Sequence, residues 1–373
     1  MSALHLGAGD GGWCPPLSLQ RIRSEEDTNA VAVEQIMSLM QDETLPFGKH
    51  LCLLRADGSY GKAIFLSPLY ELDDLVLIVR LRPGMKVWTK APDADPTGGA
   101  RRIFGDKLYL TDTSQWKTYH KKGVPYQVWQ EAMCEQTPDE HLEKQALLAN
   151  HRTVILDIRR WNDMLIRTKG GASMKDKPLD VLRVQVLDAK SRQPIFDRPM
   201  FLAISGKRKS QVDNAQAQEQ YRERYDVEPF YRFAKNKLLM DKLQTPLVEH
   251  LDNWLNIVQI SSWLLFTASQ EIKQISCPVW QKYPSKNKTA QDQPQQPLTI
   301  DQTQRAAHLL FSTFDPAPFL PQKSKKGKGR QKGDTFPQRT RFSVVARPSS
   351  VVSIMLYRVF RHSSIQKVWP APC

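Results

Sequence analysis

The sequence predicts an α/β fold, and two observations carry that reading. First, His50-LCLLRA-Asp57 is an apolar run of strand length, residues 59–72 suit a helix, and Leu75–Val79 is a second apolar run of β type. Strand, helix and strand in that space make a βαβ unit, whose strands are parallel and buried on both faces. Second, residues 221–240, YRERYDVEPFYRFAKNKLLM, read as one amphipathic helix. At helical spacing Val227, Phe230, Ala234 and Leu238 take one side, while Tyr221, Arg224, Glu228, Arg232 and Lys235 fall within an arc of roughly 60°.

The remaining elements follow in chain order. Residues 1–30 carry little signal, and Gly7, Gly9, Gly11 and Gly12 with Pro15 and Pro16 read as loop. The glycines do not make a phosphate loop, because no Gly-Lys-Ser/Thr follows them. Asn29–Met40 has helical spacing. Asp57 closes the first apolar strand, and Gly58 permits a sharp turn. Ligands of such sheets gather at the C-terminal ends of strands, although an Asp there also serves as a helix N-cap. Between Met85 and Gln193, short β-type runs (Met85–Thr89, Lys107–Leu110, Thr153–Ile158, Leu179–Leu187) alternate with turn-rich tracts. Lys117, Lys121, Lys122, Arg159, Arg160 and Arg167 could grip a DNA backbone there. Trp116, Trp129 and Trp161 could stack on bases, or lie in the core. Pro199–Ser205 looks like a last core strand, followed by three adjacent cations, Lys207, Arg208 and Lys209. Thr245-Pro246 starts another helix, with a stripe at Leu247, Leu251, Trp254, Leu255, Val258 and Trp263. Residues 283–341 are mostly polar. Between Pro321 and Arg341 stand eight cations (Lys323, Lys325, Lys326, Lys328, Arg330, Lys332, Arg339, Arg341) against one Asp334. That composition implies a disordered, polyanion-binding or merely solubilising tail. Beyond Phe342 no pattern can be placed.

The chain has 373 residues, enough for more than one domain. Its 53 Lys+Arg against 39 Asp+Glu leave +14, which points to a polyanionic partner. No run approaches membrane-spanning length, and the N-terminus lacks the pattern of a signal peptide. Cys14, Cys52, Cys134, Cys277 and Cys373 are scattered, with no C-x-x-C, so neither a zinc site nor a disulfide framework is indicated. A reducing cytoplasm is expected.

The helix at 221–240 holds the most specific signal. One carboxylate, Glu228, stands among cations and a phenol. Read plainly, Arg224–Glu228 and Glu228–Arg232 are i,i+4 surface pairs. The spacing of Tyr221, Arg224, Glu228 and Lys235, however, is Y-x2-R-x3-E-x6-K, which resembles the signature of bacterial insertion-sequence DDE transposases. The stretch from Ala56 to Trp88 also looks like the region around the second Asp of those enzymes. The resemblance covers about residues 45–340. It implies an RNase H-like core with an inserted β-rich subdomain and a basic C-terminal tail. The segments would be 1–84 (first part of the core), 85–193 (insertion), 194–280 (second part of the core) and 281–373 (tail).

The resemblance implies that Asp57 and Glu228 are catalytic ligands of Mg²⁺ or Mn²⁺, separated by the insertion. Tyr221, Arg224, Lys235 and the tail cations Lys323, Lys325, Lys326, Lys328, Arg330 and Lys332 would contact DNA. The expected partners are double-stranded DNA, at transposon ends and target, and a second copy on that DNA, in a bacterial cytoplasm with no membrane contact. In-line attack on phosphorus between two ions calls for about three carboxylates. In the resembled family the first Asp ends the first strand of a three-stranded meander upstream. Among the upstream aspartates, Asp10, Asp27 and Asp42, none ends an apolar strand. The expectation is therefore a transposase lacking its N-terminal part and inactive in this copy. A DNA-binding protein without catalysis, or an RNase H-like nuclease or resolvase, is the alternative.

Overall fold

A computed structural model describes residues 2–7, 13–92, 102–148, 152–168, 173–243, 245, 247–271, 298–313 and 352–358. The chain divides into two units, Met1–Trp263 with Val352–Cys373, and Leu264–Val351. The elements run β1 (Ser2–Leu6), β2 (Pro16–Gln20), α1 (Thr28–Gln41), β3 (Cys52–Ala56), α2 (Ala63–Leu69), β4 (Leu75–Arg80) and β5 (Lys86–Lys90). Next come β6 (Phe104–Tyr109), β7 (Gln115–Lys121), β8 (Val124–Ala132), β9 (Glu140–Leu147), β10 (Thr153–Met164), β11 (Leu179–Asp188) and β12 (Met200–Ser205). Last are α3 (Asn214–Glu223), α4 (Val227–Asn236), α5 (Val248–Glu271), α6 (Ile300–Thr313) and β13 (Val352–Arg358).

The fold is mixed α/β. A nine-stranded sheet has the order β2-β1-β13-β3-β4-β12-β11-β10-β9, and a four-stranded sheet has the order β5-β6-β8-β7. β3 and β4 pair in parallel from Cys52↔Leu75 to Ala56↔Val79, with α2 as their crossover. Their side chains alternate between faces, as the pleat requires. Leu54, Ala56, Leu75, Leu77 and Val79 join the core formed with α1 and α2, whose Ile36, Phe65, Leu66 and Leu69 are wholly buried. Leu53, Val76 and Ile78 face the other way, onto Val212, Ala217 and Tyr221. A strand covered on both sides needs a continuous apolar run, which these two strands have. α1 is started by Asp27, whose carboxylate accepts from the backbone N–H groups of Asn29 (2.8 Å) and Ala30 (3.2 Å).

The structure corrects several expectations. Residues 1–30, which carry little pattern, contain β1 and β2, paired antiparallel on either side of the glycine stretch. Residues 221–240 are not one helix. α3 ends at Glu223, a 3-10 turn spans Arg224–Asp226, and α4 runs from Val227 to Asn236. Pro229 explains the joint: inside a continuous helix it would offer no N–H and its ring would clash with the Tyr225 carbonyl, whereas in the first turn of a new helix it is tolerated. Residues 85–193 divide between two sheets: β5–β8 form the small one and β9–β11 extend the large one. Within the tail, α6 is helical and β13 is a strand. The basic cluster Lys323, Lys325, Lys326, Lys328, Arg330 and Lys332 lies outside the described residues.

In the first unit, α5 is tied to β2, with Trp263 Nε1 donating to the Pro16 carbonyl (2.7 Å) and Gln259 Nε2 to the Leu17 carbonyl (2.9 Å). In the second unit, Ala306 and Ala307 of α6 pack with Leu298 and Ala268. No helix among the described residues is long and apolar enough to cross a membrane.

Gly206 shows how tightly β12 is seated over β4. Its φ is +132°, and a Cβ there would stand 2.5 Å from the Leu75 carbonyl oxygen. Gly206→Ala is expected to destabilise the protein by about 1–3 kcal/mol, through backbone strain and collision together. A urea unfolding midpoint unchanged from the parent would contradict this.

Candidate functional site

The candidate site lies at the C-terminal end of β3. Asp57 follows the last residue of that strand, and its Oδ1 accepts from the Gly58 N–H. The turn is closed by Tyr60 N–H donating to the Asp57 carbonyl (3.0 Å), and Arg82 Nε donating to the Gly58 carbonyl (3.1 Å). The loop lies so close to β4 that a Cβ on Gly61 would meet the Arg80 carbonyl oxygen at 3.1 Å. Asp57 is not a helix cap, because α2 starts well after it, with Lys62 at its N-cap position and no side-chain cap.

Three groups sense the Asp57 carboxylate. Burial raises the phenol of Tyr60, and Asp57 adds to the shift. Burial also raises the phenol of Tyr221, with Arg224 and Arg80 opposing and Asp57 assisting. Arg224 is partly buried, which works against its charge, yet its pKa is raised, because Tyr221, Asp57 and Tyr225 outweigh that desolvation. Its guanidinium carbon lies 5.5 Å from the Tyr221 ring centroid and 4.8 Å from that of Tyr225. Tyr221 and Arg224 thus lie within electrostatic reach of Asp57, although the four residues of the pattern do not share one exposed helix face as expected. Tyr221 is wholly buried and Glu228 is exposed, because the joint at Arg224–Asp226 separates their helices. Glu228 occupies the first turn of α4 and Lys235 its last, the favourable placements for an anion and a cation in the helix field.

Two residues that the sequence reading did not single out set these positions. Arg55 is fully buried on β3, donating to the Gln220 carbonyl (2.7 Å) and to Glu223 Oε2 (2.9 Å) at the end of α3. A charge inside an apolar strand announces a buried partner, so the sequence did carry a signal for it. Burial raises the carboxyls of Glu223 and Asp226, and Arg55 opposes both shifts. His5 of β1 is the other. Its Nδ1 donates to the Cys14 carbonyl (2.9 Å), which fixes the tautomer, and its Nε2 then accepts from Tyr231 Oη of α4 (3.1 Å). The ring also packs edge-on against Phe230 and Tyr231. Nothing in the sequence of β1 marks this histidine as a clamp on α4.

Other expected contacts are engaged elsewhere. Lys207 pairs with Asp73 (2.7 Å), Arg208 with Asp74, and Lys209 with Asp163 and Asp180. Arg160 is buried against Asp180, and Arg159 pairs with Asp157 (3.3 Å). Trp161 is buried, whereas Trp116 and Trp129 are exposed.

Among the described residues, the one group of three or more His, Cys, Asp or Glu side chains able to hold a metal ion is His141, Glu143 and Asp157, on β9 and β10. Arg159 and Arg183 pair with Asp157, and Arg192 pairs with Glu143 (2.5 Å), so its carboxylates are already compensated. Neither Asp57 nor Glu228 belongs to such a group. No protein-family model matches the chain, and no curated protein matches it.

The clamp on α4 has a pH signature. Burial lowers the His5 pKa from 6.5 to about 4, with the hydrogen bond to Cys14 partly opposing. As pH falls, the unfolded chain takes up this proton first. His5 therefore leaves stability unchanged above about pH 6.5 and reduces it progressively down to about pH 4, by about 3 kcal/mol in all. Urea midpoints at neutral pH and near pH 5 should diverge more for the parent than for His5→Gln. Equal divergence would remove His5 from the account.

Proposed function

We propose that this chain is a DDE-transposase-type protein with an RNase H-like core, which binds DNA and does not cleave it in its present form. The observation that supports this reading is that Tyr221 of the Y-x2-R-x3-E-x6-K pattern, with Arg224 over its ring, packs in one buried cluster with Leu53 of β3, the central parallel strand that Asp57 follows. Tyr221 and Arg224 lie 164 and 167 positions beyond Asp57 in the chain, and a pattern arising by chance has no reason to converge on that strand. The +14 charge supports a polyanionic partner. By resemblance the partner is double-stranded DNA, bound by a dimer in the bacterial cytoplasm.

The divalent ions that the resemblance implies, Mg²⁺ or Mn²⁺, do not fit the described residues as a two-ion centre. Such a centre calls for about three carboxylates, and among the described residues neither Asp57 nor Glu228 belongs to a group of three possible ligands. What remains is a net charge of +14 suited to a polyanion. This favours the non-catalytic form of the reading.

Two outcomes follow. Purified protein incubated with Mg²⁺ or Mn²⁺ and supercoiled or linear duplex is expected to leave the strands intact. Nicking that disappears in Asp57→Ala or Glu228→Ala would overturn the non-catalytic reading. Binding to duplex is expected to weaken steeply with salt. Deletion of Pro321–Arg341 should flatten the slope of log affinity against log salt by about 0.9 for each phosphate that is no longer neutralised. An unaltered slope would show that the tail cations do not touch phosphate.

A further inference from the structure

β7 and β8 form a two-stranded ribbon that meets water on both faces. Directly paired residues of an antiparallel ribbon project to the same side. Trp116 and Trp129 are such a pair, and so are Tyr119 and Tyr126 on the opposite face. The two indoles lie edge to face with centroids 5.2 Å apart, and the two phenols stack at 5.8 Å. The rings are nevertheless open to solvent, Trp116 by 63% and Trp129 by 49%. Cross-strand packing explains why the ribbon holds its shape. It does not explain why four aromatic rings face water rather than a core.

The charge on the ribbon narrows the occupant. Lys122 and Gly123 both have positive φ, 52° and 81°, as a tight two-residue hairpin turn of type I′ requires. That turn presents Lys122 at the tip, beside Lys121 and the exposed His120. Lysines on β7, an edge strand, also discourage a further strand from adding to the sheet. Cations at the tip and exposed rings on the flanks are complementary to a polymer with anionic phosphates and flat apolar bases.

We propose that the β7–β8 ribbon is a binding surface for nucleic acid with unpaired bases, the rings stacking on bases and the tip cations meeting phosphates. This deepens the nucleic-acid reading above and rests on it only for the class of partner. It does not involve Asp57 or Glu228.

The test uses the full chain and two labelled probes followed by fluorescence anisotropy: a short oligo-dT, and an abasic phosphodiester of the same length. The parent should prefer oligo-dT. Replacing both indoles, Trp116→Ala with Trp129→Ala, should lower oligo-dT affinity by about tenfold or more and leave the abasic strand unaffected. Trp116→Thr with Trp129→Thr keeps strand propensity and should do the same with an unaltered thermal melt, which separates a loss of stacking from a loss of fold. Lys121→Ala with Lys122→Ala should weaken both probes. The inference is overturned if the indole variants bind oligo-dT like the parent, or lose both probes equally. Duplex binding by the parent without preference for oligo-dT over the abasic strand would sink the ribbon alone. Failure to bind any of these nucleic acids would sink the DNA reading with it.

Discussion

The candidate site depends on one buried charge. Arg55 sits on β3 with no exposure, held by the Gln220 carbonyl and the Glu223 carboxylate. A guanidinium in such surroundings is tolerated only when its partners are in place, and breaking a buried pair costs about 3–5 kcal/mol. Glu223 keeps about a third of its side chain in water, which moves the figure toward the lower end. The pair pins the last turn of α3 to the strand that ends in Asp57. It therefore sets the distance between that carboxylate and the two signature residues, Tyr221 at the end of α3 and Arg224 in the joint. Cys14 lies in the same neighbourhood, its thiol pushed up to about 12 by burial and by Asp226.

The joint itself follows from Pro229. A continuous helix would carry Tyr221, Arg224, Glu228 and Lys235 on one face and leave the whole pattern on the surface. The 3-10 turn instead lets α3 bury Tyr221 against Leu53 and Val76 while α4 turns Glu228 outward. His5 and Phe230 then hold α4 to the first strand of the sheet. One imino acid thus divides a sequence motif between an interior half and an exposed half.

What could be read in the sequence was what burial writes there. β3 and β4 are covered on both faces, so they appear as uninterrupted apolar runs, and α1 shows its stripe. The position of Asp57 at a strand end followed from the same pattern. β7, β8 and β9 have largely exposed side chains, so no core-facing alternation betrays them, and they were missed. β1 and β2 are short and carry too little pattern to read, while the glycines between them do read as loop. The helix joint was legible in Pro229, but helical periodicity outweighed it. The pairing of Lys207, Arg208 and Lys209 with Asp73, Asp74 and Asp163 joins segments distant in sequence, which composition cannot show. A run of cations therefore resembled a DNA-facing patch while its charge was already compensated.

The order of strands in the large sheet bears on how the protein is made. β13 lies between β1 and β3, parallel to the first and antiparallel to the second, although it is the last strand in sequence among the described residues. During synthesis β1 and β3 emerge early and must wait for Val352–Arg358 before their backbone amides and carbonyls on those edges are satisfied. A nascent chain in that condition offers two unpaired edges to its neighbours on the same polysome. The interval between making β3 and making Val352–Arg358 is thus the time for which those edges stand open.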